Sequence, residues 1–338
     1  MLDKTVRSID LGYGRVKFVK AVALDGNPIT DAFPSIVARA QRSLGDGYSM
    51  ERNTIPVEYG GVAYEVGQDV LLATGAYSTR TTDMGFIKSD PYHVLMMGCL
   101  KKMALEQIHL LVLGAPVLNY GEVKSYLQGR YTGQVDIGGG RRVNIERVMV
   151  LPQPLGGLVR YGQLNGVYER MRDEVTLTID PGFFTLDWMV SKGLSLVPGR
   201  SGSHPGGMAG IIRALAHEIA KAAGESNIEN LFNMDKIDKA LYSGARFTIY
   251  GKELDLKQYA GVAQRVVAEG LEALTASVGD ASGVDNIILL GGAAHAYLSV
   301  LRRKFVKHEI LLLDNPVFAN VLGFQAAGEE VTGIRKVG

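Results

Sequence analysis

Two short loops hold the residues best suited to chemistry. Ile9-Asp10-Leu11-Gly12-Tyr13-Gly14-Arg15-Val16-Lys17 lies near the start of the chain, and Ile179-Asp180-Pro181-Gly182-Phe183-Phe184-Thr185-Leu186-Asp187 opens its second half. In each, an apolar run ends in an aspartate, turns at a glycine and returns as a second apolar run. Glycine lets the main chain turn tightly and brings N–H groups close to an anion, so such a turn suits phosphate. The aspartate suits Mg2+, which keeps much of its water shell and needs only one or two carboxylates. One such loop in each half would grip a single nucleotide from both sides. Taken alone, each loop also reads as an ordinary β-turn, because Asp and Gly favour turns for conformational reasons.

The elements that must present these loops alternate along the chain. Strand patterns fall at 5–10, 16–24, 62–66, 109–113, 142–151, 175–179, 186–191, 286–290 and 309–313. Ser89-Asp90-Pro91 opens a helix, with Ser89 or Asp90 as cap and proline in the first turn, and its apolar side runs through Leu95, Met96, Leu100, Met103 and Ala104. A second helix spans 208–223, with Ile211, Ile212, Leu215 and Ile219 on one face. Others are expected at 257–277, after Ala294 and after Pro316. The pattern is α/β, with a mixed sheet to which the two hairpins add antiparallel edges. Gly138-Gly139-Gly140 reads as a hairpin turn between 134–137 and 141–145. No Pro/Ser linker splits the chain, and the repeat is a half-chain duplication rather than a solenoid.

A length of 338 residues fits two domains or one large one. The formal net charge of +1 gives no support for sequence-independent nucleic-acid binding, which rests on an excess of basic charge. The single cysteine, Cys99, excludes an internal disulfide framework, and its setting in Leu95-Met96-Met97-Gly98-Cys99-Leu100 reads as a buried core thiol. Met96, Met97 and Met103 likewise read as core. No run of about 18 apolar residues suggests a membrane span, and residues 1–7 lack a signal-peptide core, so the cytoplasm is the expected compartment. The Walker-type phosphate loop and the dinucleotide glycine fingerprint are both absent, and His217-Glu218 lacks the second histidine of a zinc-protease helix.

Three further segments join the two loops. Asn286-Ile287-Ile288-Leu289-Leu290-Gly291-Gly292-Ala293-Ala294 is an apolar strand running into a diglycine and a helix, where main chain can pack against a base or ribose. Leu151-Pro152-Gln153-Pro154-Leu155-Gly156-Gly157-Leu158 joins the halves, and Asn315-Pro316-Val317-Phe318-Ala319-Asn320-Val321-Leu322-Gly323-Phe324 returns near the end. In this order the five segments resemble the signature of the ATPase superfamily of actin, heat-shock chaperones and sugar kinases. They match its first phosphate loop, first connecting segment, second phosphate loop, adenosine loop and second connecting segment. Pro152-Gln153-Pro154-Leu155-Gly156 and the segment from Pro316 to Phe324 most resemble bacterial plasmid segregation proteins of the ParM/StbA type, with the PRTRC-associated branch as a placement within it. The resemblance implies the actin-like ATPase fold: two RNase H-like domains around a nucleotide cleft, each with a smaller outer subdomain. Their expected bounds are 1–155, with 315–338 returning, and 156–314.

The same resemblance implies roles. Asp10 and Asp180 would hold Mg2+ through water. Lys17, a compact positive charge, would contact phosphate, though it also reads as an exposed strand lysine. N–H groups of Gly12, Tyr13 and Gly14, and of Gly182, Phe183, Phe184 and Thr185, would surround the phosphates. Gln153 would orient the attacking water, by position rather than as a base; it equally reads as a polar cap between two prolines. Gly291, Gly292 and Ala293 would border the adenosine.

The chain also departs from the pattern. Pro181 and the bulky Phe183-Phe184 stand where relatives often carry small or hydroxyl residues, and Tyr13 replaces a common Ser or Thr. Tyr13 could reach phosphate through its hydroxyl or simply pack. Asp187 reads either as an aid to water or metal or as a partner within its own hairpin. The stretch Pro198-Gly199-Arg200-Ser201-Gly202-Ser203-His204-Pro205-Gly206-Gly207 reads either as an anion seat at a helix start or as a flexible entry to the outer part of the second half.

The leading expectation from this resemblance is an ATP-driven filament, with GTP as the alternative nucleotide, built from head-to-tail contacts that do not close. It would move plasmid DNA through a small DNA-binding adaptor, touching neither nucleic acid nor membrane itself. The runner-up is a small-molecule kinase of the same superfamily with Asp187 as base, and a third reading is a nucleotide-sensing scaffold with little turnover. A chaperone is disfavoured because the chain stops soon after the second connecting segment. The tail Thr332-Gly333-Ile334-Arg335-Lys336-Val337-Gly338 is too short for an amphipathic membrane anchor.

Overall fold

Each half of the chain opens on a β-hairpin and builds a sheet around it. The computed structural model describes residues 4–40, 52–74, 83 and 85–334. Strands β1 (Val6–Leu11) and β2 (Arg15–Val22) make the first hairpin, and β3 (Pro28–Pro34) adds to it antiparallel. A separate small sheet follows, from β4 (Ala38–Arg39), β5 (Thr54–Tyr59) and β6 (Val62–Gly67), in the order β4-β6-β5. Helix α1 (Asp90–Met103) is capped by Ser89, whose hydroxyl accepts from the Tyr92 N–H. Leu95, Met96 and Cys99 on this helix are fully buried, and burial pushes the Cys99 thiol well up. Strand β7 (Gln107–Ala115), helix α2 (Tyr120–Tyr131) and the hairpin of β8 (Gly133–Gly138) and β9 (Arg141–Pro152) complete the first sheet, ordered β3-β2-β1-β7-β9-β8. Gly138, Gly139 and Gly140 all adopt positive φ, which makes this the expected hairpin turn.

The second half repeats the plan. After α3 (Gln153–Asn165) and the short α4 (Tyr168–Met171), β10 (Val175–Pro181) and β11 (Leu186–Lys192) form the second hairpin. Both β12 (Ser195–Leu196) and β13 (Gly202–His204) pair with β11. Helices α5 (Met208–Ala223) and α6 (Leu231–Ser243), the two-stranded β14 (Thr248–Ile249) and β15 (Lys252–Glu253), and α7 (Ala260–Val278) follow. Strand β16 (Asn286–Leu289), helix α8 (Ala294–Lys304) and strand β17 (Ile310–Leu312) close a sheet ordered β12-β11-β10-β16-β17. In both sheets a leading hairpin is extended by two parallel strands. Each sheet buries its own core, around Ile9, Phe18 and Leu95 in the first and Leu177, Ile179 and Ile219 in the second.

The chain returns to the first half through α9 (Ala319–Thr332). This helix packs on β1 and β7 and crosses α3 at very short range. A Cβ built on Gly323 would lie 1.8 Å from the carbonyl oxygen of Gly156, so the two backbones touch. Among the described residues no helix is long and apolar enough to cross a membrane. Of the tail read as too short for an anchor, residues 335–338 lie outside the described residues.

Candidate functional site

The two hairpins are built alike down to their turns. Pairing sets Asp10 opposite Lys17 on the first and Asp180 opposite Asp187 on the second. The Gly12 N–H closes the first turn on the Arg15 carbonyl at 3.3 Å, and the Gly182 N–H closes the second on the Thr185 carbonyl at 2.8 Å. These two amides are therefore engaged within their own turns.

Both aspartates are buried and held from several directions. Lys17 Nζ lies 2.5 Å from Asp10 Oδ2, and Gln153 Nε2, at the start of α3, donates to Asp10 Oδ1 at 3.0 Å. Asn320 Nδ2, on α9, donates to Asp180 Oδ2 at 2.6 Å, while Asn320 Oδ1 accepts the Gly157 N–H of α3 at 3.0 Å. Gly291 has φ +94°, and a Cβ there would fall 2.2 Å from Asp180 Oδ1, so only glycine lets the adenosine-loop candidate pass this close to the carboxylate.

Asp10, Lys17, Gln153, Asp180, Asp187 and Gly292 line one open crevice between the halves. Gly12, Tyr13, Gly14, Gly182, Phe183 and Thr185 line it as well. Three of the residues singled out from the sequence face elsewhere. Phe184 turns to Tyr13, with ring centroids 4.9 Å apart. Gly291 packs behind Asp180, its N–H on the Pro316 carbonyl, and Ala293 is buried with its N–H on the Pro181 carbonyl at 2.8 Å. Arg15, Met208, Asp238, Tyr242 and Val317, none of them singled out, also border the crevice.

The site is short of positive charge. Burial, reinforced by Asp10 and Asp187, pushes the Asp180 carboxyl up to about 7, against the pull of Lys17 and Asn320. Burial pushes Asp187 up to about 6, although Thr185 and Ser203 hydrogen-bond to it. Thr185 Oγ1 donates to Asp187 Oδ2 at 2.6 Å, whereas Asp187 Oδ1 is buried without a hydrogen-bonding partner among the described residues. Asp187 thus bonds both to Thr185 in its own hairpin and to Ser203 on the neighbouring strand β13. Three buried carboxylates line the crevice with Lys17 and Arg15, and among the described residues no three acidic or imidazole side chains are grouped so as to hold a metal ion directly. Burial, with Asp187 and Asp83, also pushes Tyr13 up to about 12, so its hydroxyl is neutral.

The stretch from Pro198 to Gly207 is neither an open anion seat nor a flexible entry. Gly202–His204 is strand β13, paired with β11. The N–H groups of Gly207, Met208 and Ala209, at the start of α5, donate to the carbonyls of Phe184 (3.0 Å), Gly182 (3.0 Å) and Phe183 (2.6 Å). Donors that a bare helix start would offer an anion instead fasten the second turn from behind.

Asn320 is the residue that the motif reading passed over. It sits among apolar neighbours in α9, and nothing local marks it. Asn320→Ala leaves a buried carboxylate oxygen and the Gly157 N–H without their partner, and is expected to lower unfolding free energy by about 1–3 kcal/mol in urea titration. A change below a few tenths of a kcal/mol would show that these two hydrogen bonds do not stabilise the fold.

Residues 8–156 match the family model described as the N-terminal domain of actin like proteins, and residues 178–302 match the C-terminal domain of the archaeal MreB-like actin homologue. The chain belongs to the actin-like proteins. No curated protein matches it. Among solved structures, this actin-like chain is similar to the archaeal actin homolog Ta0583, with TM-score 0.76 and 20% identity over 97% of this chain and 99% of that one. The same homolog in complex with ADP aligns at TM-score 0.73 and 21% identity, over 96% of this chain and 99% of that one. A 15-stranded ParM filament from Clostridium botulinum aligns at TM-score 0.73 and 20% identity, over 97% and 100%. At these identities the likeness establishes the fold, which is actin-like throughout.

Proposed function

We propose that this actin-like protein is a Mg2+- and ATP-dependent ATPase that assembles head to tail into filaments and serves plasmid segregation through a DNA-binding adaptor. The observation that carries this reading is the crevice in which two matching hairpins bring Asp10, Lys17, Asp180 and Asp187 together from opposite halves. Lys17, paired with Asp10 at the crevice, would supply a point charge to phosphate oxygens. The Gly12 and Gly182 amides close their own turns, so the phosphates would rest against the turns without drawing on these two groups. Asp10 and Asp180 are the residues that would hold Mg2+, through water, and the ion would supply neutralisation of phosphate charge. Gln153 keeps its amide nitrogen on Asp10, which leaves its carbonyl oxygen to accept from, and so orient, a water. The ADP complex of the archaeal homolog and the ParM filament support the nucleotide and the polymer respectively. Closure around nucleotide would favour the polymer, because a ligand shifts a two-state element toward the state it binds better.

Light scattering and pelleting after addition of ATP and Mg2+, with GTP in parallel, test this. Scattering should rise, decay as phosphate is released, and fall by about tenfold or more for Lys17→Ala at equal nucleotide, the loss of one charge-assisted phosphate contact. Turnover that needs a small phosphoryl acceptor would replace the filament reading with a kinase. Polymer without phosphate release would replace it with a scaffold.

A further inference from the structure

The second turn carries two phenylalanines, and both contact the first turn from the other half, Phe183 at the crevice wall and Phe184 beside it. Tyr13 stands between two rings: Phe86 of its own half at 5.1 Å between centroids, and Phe184 of the other half at 4.9 Å. One residue along, a Cβ on Gly14 would lie 2.6 Å from both Cβ and Cγ of Phe183, so the glycine backbone rests on that side chain. Neither side of this contact is a loose loop. Tyr13 packs on the core of the first half and Phe183 on the core of the second. The turn bearing both phenylalanines is fastened from behind by the first amides of α5. Farther along the same side, Leu231 of α6 is buried among Ile36, Ala38, Val70 and Ala73 of the first half. The halves are thus joined directly, by apolar contacts that need no ligand between them.

We infer that Phe183 and Phe184 form a retention clasp, which holds the two turns together over the crevice so that a nucleoside polyphosphate enters or leaves only when these aromatic contacts part. The inference rests on the reading of the crevice as a nucleotide site. It accounts for bulky residues at a turn whose geometry asks for none. A clasp of this kind differs from a ligand contact in its kinetic signature. A side chain that touches the nucleotide slows release alone. A clasp closed in both the free and the bound protein slows entry and release together and leaves affinity nearly unchanged.

The test is stopped-flow binding and displacement of a fluorescent N-methylanthraniloyl-ATP with Mg2+, using the whole chain. Phe184→Leu keeps bulk and removes the ring, Phe183→Ser opens the contact with Gly14, and Phe184→Tyr restores a ring. In Phe184→Leu entry and release should each accelerate about tenfold, as the loss of one aromatic pair implies, with Kd within about threefold of the unaltered protein and Phe184→Tyr close to it; in Phe183→Ser both rates should rise together. Unchanged rates, or faster release alone, would overturn the clasp. If the unaltered protein binds no fluorescent nucleotide, the nucleotide reading fails instead. Hydrogen exchange of the ligand-free protein then decides the clasp: exchange at Tyr13, Gly14 and Thr185 should quicken in Phe184→Leu, and unaltered exchange would refute it.

Discussion

Asp180→Asn is expected to make the ligand-free protein more stable and its ATP turnover much slower. The Asp180 carboxyl is buried beside Asp10 and Asp187, and its folded-state pKa rises from 3.8 to about 7. Between pH 4 and pH 7 the folded chain therefore holds a proton that the unfolded chain has released. Stability falls as pH rises through this window, and the full penalty is present above it. Asparagine has the same shape, carries no charge, and keeps an oxygen to accept from Asn320. At pH 8 without nucleotide or Mg2+, the variant should unfold with about 2 kcal/mol more free energy, a discounted share of a three-unit shift. Near pH 4 the two proteins should coincide. Asp187, raised for the same reason of burial, contributes to the same downward trend with pH in both proteins. Turnover should move the other way, with phosphate release falling about 10- to 100-fold, as for loss of an outer-shell metal partner. Equal or lower stability at pH 8 would show that the carboxylates do not strain the empty site. Full turnover would take Asp180 away from the metal.

Such a trade of stability for function is where local rules break, and it was partly legible beforehand. The paired hairpins were readable because a turn is a local object: aspartate, glycine and two apolar flanks suffice, and Asp10, Asp180 and Lys17 stand where those flanks put them. The long amphipathic α5 was readable from its period, and its bounds fall at the expected 208–223. Helix α2 was not, because only Val123, Leu127 and Tyr131 are buried, too narrow a stripe to separate from a loop. Helix α6 hides for a related reason, since Asp235 lies buried between Leu231 and Ile237. The short strands β4, β14 and β15 have two residues each, below any periodicity. Asn320 and the amides of α5 escape for a deeper reason. Their partners, Asp180 and the carbonyls of the second turn, lie 140 residues away for Asn320 and on another element for α5. Nothing in a neighbouring residue announces such a contact.

Glycine-to-alanine changes should act with opposite signs at two helical positions, one at the crossing of α3 and α9 and one on α2 away from it. Gly323→Ala should destabilise strongly, because its Cβ would fall 1.8 Å from the Gly156 carbonyl oxygen and 2.6 Å from its carbon. Both atoms are backbone, so no side chain can rotate out of the way. One helix must move by more than an ångström, which disturbs the Asn320 bonds to Asp180 and Gly157 on the same two helices. Alanine is intrinsically better in a helix than glycine by about 1 kcal/mol, so the collision must overcome that gain. A net loss of about 3 kcal/mol is expected, at the upper end of overpacking. Gly129→Ala, on the exposed side of α2 with no atom within 4 Å of the new Cβ, should instead add about 0.5–1 kcal/mol. Urea titration of both variants measures the difference directly. If Gly323→Ala proved as harmless as Gly129→Ala, the two connecting helices could not be in backbone contact, and the contact that carries Asn320 to Asp180 and Gly157 would have to be looser than the structure has it.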